Sequence, residues 1–275
     1  MSARGIAWTA AALVVLAIAC SPVLAPQNPY DLAQLELLDA KLPPGSVGAT
    51  GITYWLGTDE LGRDLWSAIL YGLRVSLVVA TLATAIALTL GTAAGLVSAY
   101  AGGRTDEAIM LAVDLQLSFP AVLIALVLLA VLGTGLDKVV IALACAQWAY
   151  YARTARSAAL AERNKEYVDA ARALGFSPAR IALRHILPNC TAPLIVVATA
   201  QAAHAIALEA TLSFLGLGVA ITRPTLGLLV ANGYPHLLAG RYWMSFYPGL
   251  ALLLAIVALN VAGDRLRARL DARTG

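Results

Sequence analysis

The sequence predicts an all-α membrane protein, a single domain with six transmembrane helices, and two observations carry that expectation. Apolar residues make up 60% of the 275 residues and charged ones 13%, with a mean hydropathy of +0.77, a composition too apolar for a soluble domain. The apolar residues also gather in runs of about 20, which at about 1.5 Å per residue cross a hydrocarbon layer of about 30 Å. The net charge of +3 is small and its cations crowd to one side of the runs, so it argues orientation and not binding to nucleic acid.

Ile6 to Leu24 is the first span, an N-terminal anchor within residues 1–25. Arg4 before it and Cys20 after Leu16-Ala17-Ile18-Ala19 also resemble a cleavable leader, which leaves two readings open here. Cys20, Cys145 and Cys190 have no paired metal-ligand spacing, so neither a disulfide framework nor a metal site is expected. Pro22, Pro26 and Pro29 break the helix, and residues 26–70 form an external connection. Within it, Gly57 to Asp64 (GTDELGRD) has two spaced glycines but lacks the Lys and Ser/Thr of a phosphate-binding loop. Helix capping and Arg/Asp pairing are its expected roles.

The membrane core covers residues 71–264. Ser76 to Tyr100 is the second span, with Gly91 and Gly95 at the spacing that lets helices approach closely. After a Gly102-Gly103 turn, Ala108 to Leu132 is the third, kinked at Pro120. Lys138 to Tyr151 begins the fourth, which continues toward Leu160 and leaves the membrane near Arg153 and Arg156. Ala192 to Gly216 is the fifth, an aromatic loop runs from Arg223 to Trp243, and Ser245 to Ala262 is the sixth. Residues 265–275 are a short charged tail. The aromatic cluster Tyr234, Tyr242, Trp243, Phe246 and Tyr247 reads as an interfacial belt, or as a docking surface.

Residues 162–190 interrupt the apolar pattern with a charged island. Burying Arg172, Arg180 and Arg184 in hydrocarbon would cost about 2.5–3.5 kcal/mol apiece, which places the island in water or against a soluble partner. Glu166 to Leu174 consists of good helix formers, and Gly175 stops a helix by taking a left-handed conformation. Ser177 as cap and Pro178 as first residue predict a second short helix, which Pro188 ends.

On Asp169-Ala170-Ala171, Gly175 and Leu187-Pro188, the island resembles the EAA signature of ABC importer permeases. EYVDAARALG followed by RHILPN is similar to the second permease of the dipeptide, oligopeptide and nickel importers; GTDELGRDLWS resembles the same family. Asp169 stands where the family more often has Glu, and His185 where it prefers Ile. The resemblance covers about Trp55 to Arg273 and implies a type I ABC importer permease fold, a retained anchor, and a cytoplasmic coupling helix seated in an ATPase cleft. The ATPase-coupling residues it implies are Glu166, Tyr167, Asp169, Ala170, Ala171, Arg172, Leu174, Gly175, Leu187 and Pro188. The implied partners are a homologous second permease, two cytoplasmic ATPase subunits carrying ATP and Mg, an extracytoplasmic substrate-binding protein, and the lipid bilayer. Lys and Arg positions put both termini and the island in the cytoplasm, and the resemblance implies a multi-pass protein of a bacterial cytoplasmic membrane.

No P-loop, nucleophile or metal cluster is legible, so the chain is expected to have no catalytic residue, to hold no cofactor and not to hydrolyse ATP by itself. Inside the spans, Asp114, His204 and Glu209 are expensive, and with Gln116 they are candidates for a translocation pathway or for bonds between helices; Gln147 and Gln201 are weaker candidates. Peptides are the expected cargo. Nickel or a metal chelate is the alternative, and an ion-coupled secondary transporter using Asp114 and Glu209 as proton relays is the rival from another class. A basic loop resting near anionic lipid is the plainer reading of the island.

Overall fold

The structure, a computed structural model, describes residues 24–31, 35–49, 51–218 and 223–274. Nearly all of the expected first span, with Cys20, lies outside the described residues. The backbone of the described bundle is α1 (Leu65–Ala101), a helix of 37 residues capped by Asp64, whose side chain accepts from the Ser67 amide at 2.8 Å. At about 1.5 Å per residue α1 is about 55 Å long, so it starts well before Ser76 and stands clear of the hydrocarbon. Gly102, at φ +64°, then turns the chain.

The next two helices correct an expectation. A single span kinked at Pro120 was expected, but α2 (Gly103–Ser118) and α3 (Ala121–Leu132) meet at 94°. Proline pushes its predecessor out of the helical region, and Phe119 is extended at φ −101°, ψ 143°. Freed from α2, the helix α3 packs Ala125 and Leu129 against Val139, Val140 and Leu143 of α4 (Leu136–Arg163). α4 also lies along α1. A Cβ on Gly91 would sit 2.6 Å from Tyr151 Cβ, and one on Gly95 would sit 2.7 Å from Ala155 Cβ, with the carbonyls of Trp148 and Ala152 closer still. The sequence spacing thus marks a real close approach.

After the charged arm, α7 (Thr191–Phe214) packs on α1 and α4. α8 (Leu226–Gly233) and α9 (Trp243–Thr274) complete the bundle, and the charged residues expected as a tail form the last turns of α9. Among the described residues three helical stretches, α1, 178–214 and 243–268, are apolar and long enough to cross a membrane, and α2 with α3 makes a fourth if the bent pair is one span. α4 is 28 residues long, but Gln147, Arg153 and Arg156 make it too polar to count by composition.

In its described residues the external connection, expected as a loop, is a folded cap. It holds a hairpin, β1 (Ser46–Val47) against β2 (Thr53–Tyr54), antiparallel with Ser46 opposite Tyr54. Buried Asp39 accepts from the Ala49 amide and the Tyr54 hydroxyl, both at 2.9 Å. Arg63, 1% exposed, pairs through Nε with Asp59 Oδ2 at 2.6 Å, the Arg/Asp pairing expected there. Trp243 Nε1 donates to the Thr58 carbonyl at 3.3 Å and ties the cap to α9.

Replacing Gly95 by Val should force α1 and α4 apart, since the Ala152 carbonyl and the Arg156 amide beside it are backbone that cannot yield. Overpacking of this kind costs about 1–3 kcal/mol, and a lowered melting temperature of the purified subunit, with little change for an exposed control such as Leu90→Val, checks it.

Candidate functional site

The arm between α4 and α7 is built on α5 (Glu166–Ala173), eight residues with opposite faces. Val168 and Ala171 are buried against Tyr151, Ala155, Ile181 and Ile186, while Glu166, Asp169, Arg172 and Leu174 face outward. Ala170 is exposed too. The Arg172–Asp169 pair, 2.8 Å apart on the surface, adds little stability; the buried apolar face holds α5 in place.

The end of α5 follows the sequence. Gly175 lies at φ +74°, its amide donates to the Arg172 carbonyl at 2.9 Å, and the Phe176 amide reaches the Ala171 carbonyl at 3.2 Å. These are the paired bonds of a Schellman cap, which want glycine. A Cβ on Gly175 would meet nothing, so the glycine serves the backbone conformation and not space.

Beyond it the structure departs from expectation twice. Ser177 makes no side-chain capping bond, and it is Pro178, with its fixed φ, that starts α6 (Pro178–Ile181). Pro188 does not end the run: a π turn (Ala182–Ile186) and a 3-10 turn (Leu187–Cys190) carry the chain into α7 with hardly a break. Pro188 sits in the first residues of the 3-10 turn, where its missing N–H breaks no needed bond. Leu187 packs against the same buried cluster as Val168.

Tyr167 joins the arm's two roots. Its hydroxyl donates to Glu162 Oε2 at the end of α4, at 2.6 Å, and accepts from Asn189 Nδ2 before α7, at 3.2 Å. Burial, reinforced by the bond to Glu162, pushes this phenol up to about 12. Elsewhere on the arm, Phe176 has the Arg180 guanidinium 4.2 Å from its ring centre and the His185 ring 5.7 Å away and nearly parallel. Sequence reasoning missed Glu162, Asn189 and Phe176. Of these, only Phe176 had a signal: the residue after a Schellman glycine commonly makes a hydrophobic contact back to the helix.

The intramembrane candidates are dispersed. Asp114 on α2 pairs with Arg153 of α4 at a site where both side chains are more than half exposed. Gln116 donates to the Cys145 carbonyl at 2.9 Å, and His204 is exposed on α7. Glu209 is fully buried and accepts from Ser76 of α1 at 2.6 Å and from Ser213 at 2.7 Å, with the Thr225 hydroxyl of α8 also in reach. It therefore ties three elements together inside the chain. Gln147 is also buried and donates to the Gln201 carbonyl at 3.2 Å. No hydrogen bond or ion pair joins any two of Asp114, Gln116, His204 and Glu209 among the described residues, which also hold no group of metal-ligating side chains.

The described residues thus form an apolar helical bundle, with helices long enough to cross a membrane, that carries a polar arm. A family model described as "binding-protein-dependent transport system inner membrane component" matches residues 91–275, and the chain belongs to that family. It is 37% identical over 261 residues to the di/tripeptide transport system permease protein DppC of Pseudomonas aeruginosa, covering 95% of this chain and 85% of that one. It is 36% identical to the nickel transport system permease protein NikC of Escherichia coli, over 94% of this chain and 92% of that one. The inward-facing MetNI methionine ABC transporter shares the fold at a TM-score of 0.62 and 18% identity, over 75% of this chain and 97% of that one. The protein is thus an inner-membrane, multi-pass transport subunit and not an enzyme by itself.

Glu209→Leu would leave three buried hydroxyls without their acceptor, at about 1–3 kcal/mol for each unsatisfied group, whereas Glu209→Gln keeps one acceptor and adds a donor. We expect the Leu variant to lower the yield of folded subunit in membranes sharply and the Gln variant to leave it near wild type. Immunoblotting after mild detergent extraction checks both.

Proposed function

We propose that this chain is one permease subunit of an ATP-driven ABC importer that carries di- and oligopeptides across the bacterial cytoplasmic membrane. Its partners in this reading are a homologous second permease, two cytoplasmic ATPases that bind ATP and Mg, and an extracytoplasmic binding protein that delivers the cargo. The observation that carries it is the arm: a capped helix with its polar face outward, braced through Tyr167 to both α4 and α7. Peptide as cargo is supported by the likeness to the di/tripeptide permease.

ATP-driven closure of the ATPase pair moves a cleft against Glu166, Asp169, Arg172 and Leu174. Because Val168 and Ala171 lock α5 to the bundle, the displacement is transmitted to α4 and α7 instead of being absorbed by the arm. The helices tilt, and the pathway between two permeases alternates between its openings. Both termini and the arm lie in the cytoplasm, as the Lys and Arg distribution supports.

Three measurements test this reading. A strain lacking the subunit should lose uptake of di- and oligopeptides and keep nickel uptake; the reverse result moves the cargo to nickel, as in the similarly related NikC. Gly175→Val forces a β-branched residue to φ +74°, a conformation that costs about 1–3 kcal/mol, so uptake should fall at least about tenfold while the subunit still assembles. Wild-type uptake in that variant would refute the lever. In a cysteine-free background, Ala173→Cys should react with a membrane-impermeant maleimide in inside-out vesicles and not in intact spheroplasts.

A further inference from the structure

The end of α1 next to the arm forms one wall of an open groove of about 370 Å³, lined by Ala93, Val97, Tyr100, Pro178, Ala179 and Leu183 among others. Its walls are apolar almost throughout, and Val97 and Leu183 are 52% and 61% exposed. α1 carries no charged residue from Val75 to its end at Ala101, so its wall of the groove is uncharged and lies at one edge of the uncharged stretch. Water there would be held against bare hydrocarbon. Next to it stands Arg163, 5.7 Å over the Tyr100 ring, with Nη1 donating to the Ala99 carbonyl at 2.6 Å. Its bonds go to backbone and to no carboxylate among the described residues. Arg104 and Arg184 are exposed just beyond Ala101 and Leu183, and neither forms an ion pair among the described residues, whereas Arg153, Arg156 and Arg172 each do.

An apolar slot with arginines that lack a carboxylate partner at its rim is complementary to an amphiphile with an anionic head. We propose that the groove binds one anionic phospholipid of the inner leaflet, with an acyl chain along Val97 and Leu183 and its phosphate at Arg163. Such a lipid joins α1 to the root of the arm, so the acidity of the membrane bears on the segment that the preceding section reads as the lever. The site rests on the inner placement of this end of α1, which the maleimide labelling reads separately.

The test takes the assembled importer reconstituted in vesicles of equal phosphatidylglycerol and phosphatidylethanolamine, extracted in mild detergent and weighed by native mass spectrometry. About one phosphatidylglycerol should stay with each copy of the chain, favoured several-fold over phosphatidylethanolamine. Ala93→Trp, which fills the slot, and Arg163→Gln, which removes the charge, should each lower that retention at least about threefold. Equal retention of the two lipids by the wild type overturns the proposal and needs no variant. Unchanged retention in Ala93→Trp overturns it as well, as does a crosslink from Val97→Cys to a partner subunit instead of to lipid.

Discussion

Gly91 and Gly95 let α1 and α4 touch backbone to backbone, and the bundle is arranged around that contact. In lipid, apolar side chains gain nothing by leaving one hydrocarbon for another, so helices are held by close van der Waals fit and by polar bonds between them. The contact allows both. At the end where α1 meets its turn, Arg156 of α4 grips Asp106 through Nε and Nη2, each at 2.6 Å, and Ser98 of α1 donates to the same carboxylate. About two turns further along α4, Arg163 donates to the last carbonyls of α1. α7 then packs on the two-helix unit, and the arm hangs from its α4 side.

The arm's stiffness follows from where its forces lie. Its surface charges are conspicuous but weak, because water screens Arg172 and Asp169. What holds it is inside: Val168 and Ala171 in a cluster that α1, α4 and α7 share, a glycine cap, and one phenol bonded to both roots. The lever proposed above draws on this distribution, with a polar face exposed and an apolar face committed to the bundle.

The opposite end shows the same economy with polar groups. Buried Asp39 and Arg63 both have bonded partners within the cap, and buried Glu209 is matched by hydroxyls from three elements. An acid in a span is costly unless paired, and here hydroxyls meet that requirement, which makes Glu209 a clasp between α1, α7 and α8 within this chain.

Much of this was legible in the residues. Run length and composition determined a helical membrane protein, a four-residue glycine spacing determined where two helices would meet, and Asp169 to Gly175 determined a helix with a left-handed stop, because each of these depends on neighbours within a few turns. The 94° break at Pro120, the passage through Pro188, the contacts of Arg180 and His185 with Phe176, and the partners of Glu209 were decided only by the tertiary structure. A proline's local chemistry permits a kink, a break or a smooth passage, and packing selects among them. The partner of a buried acid, such as Ser76 for Glu209, stands more than a hundred positions away and no local pattern can point to it.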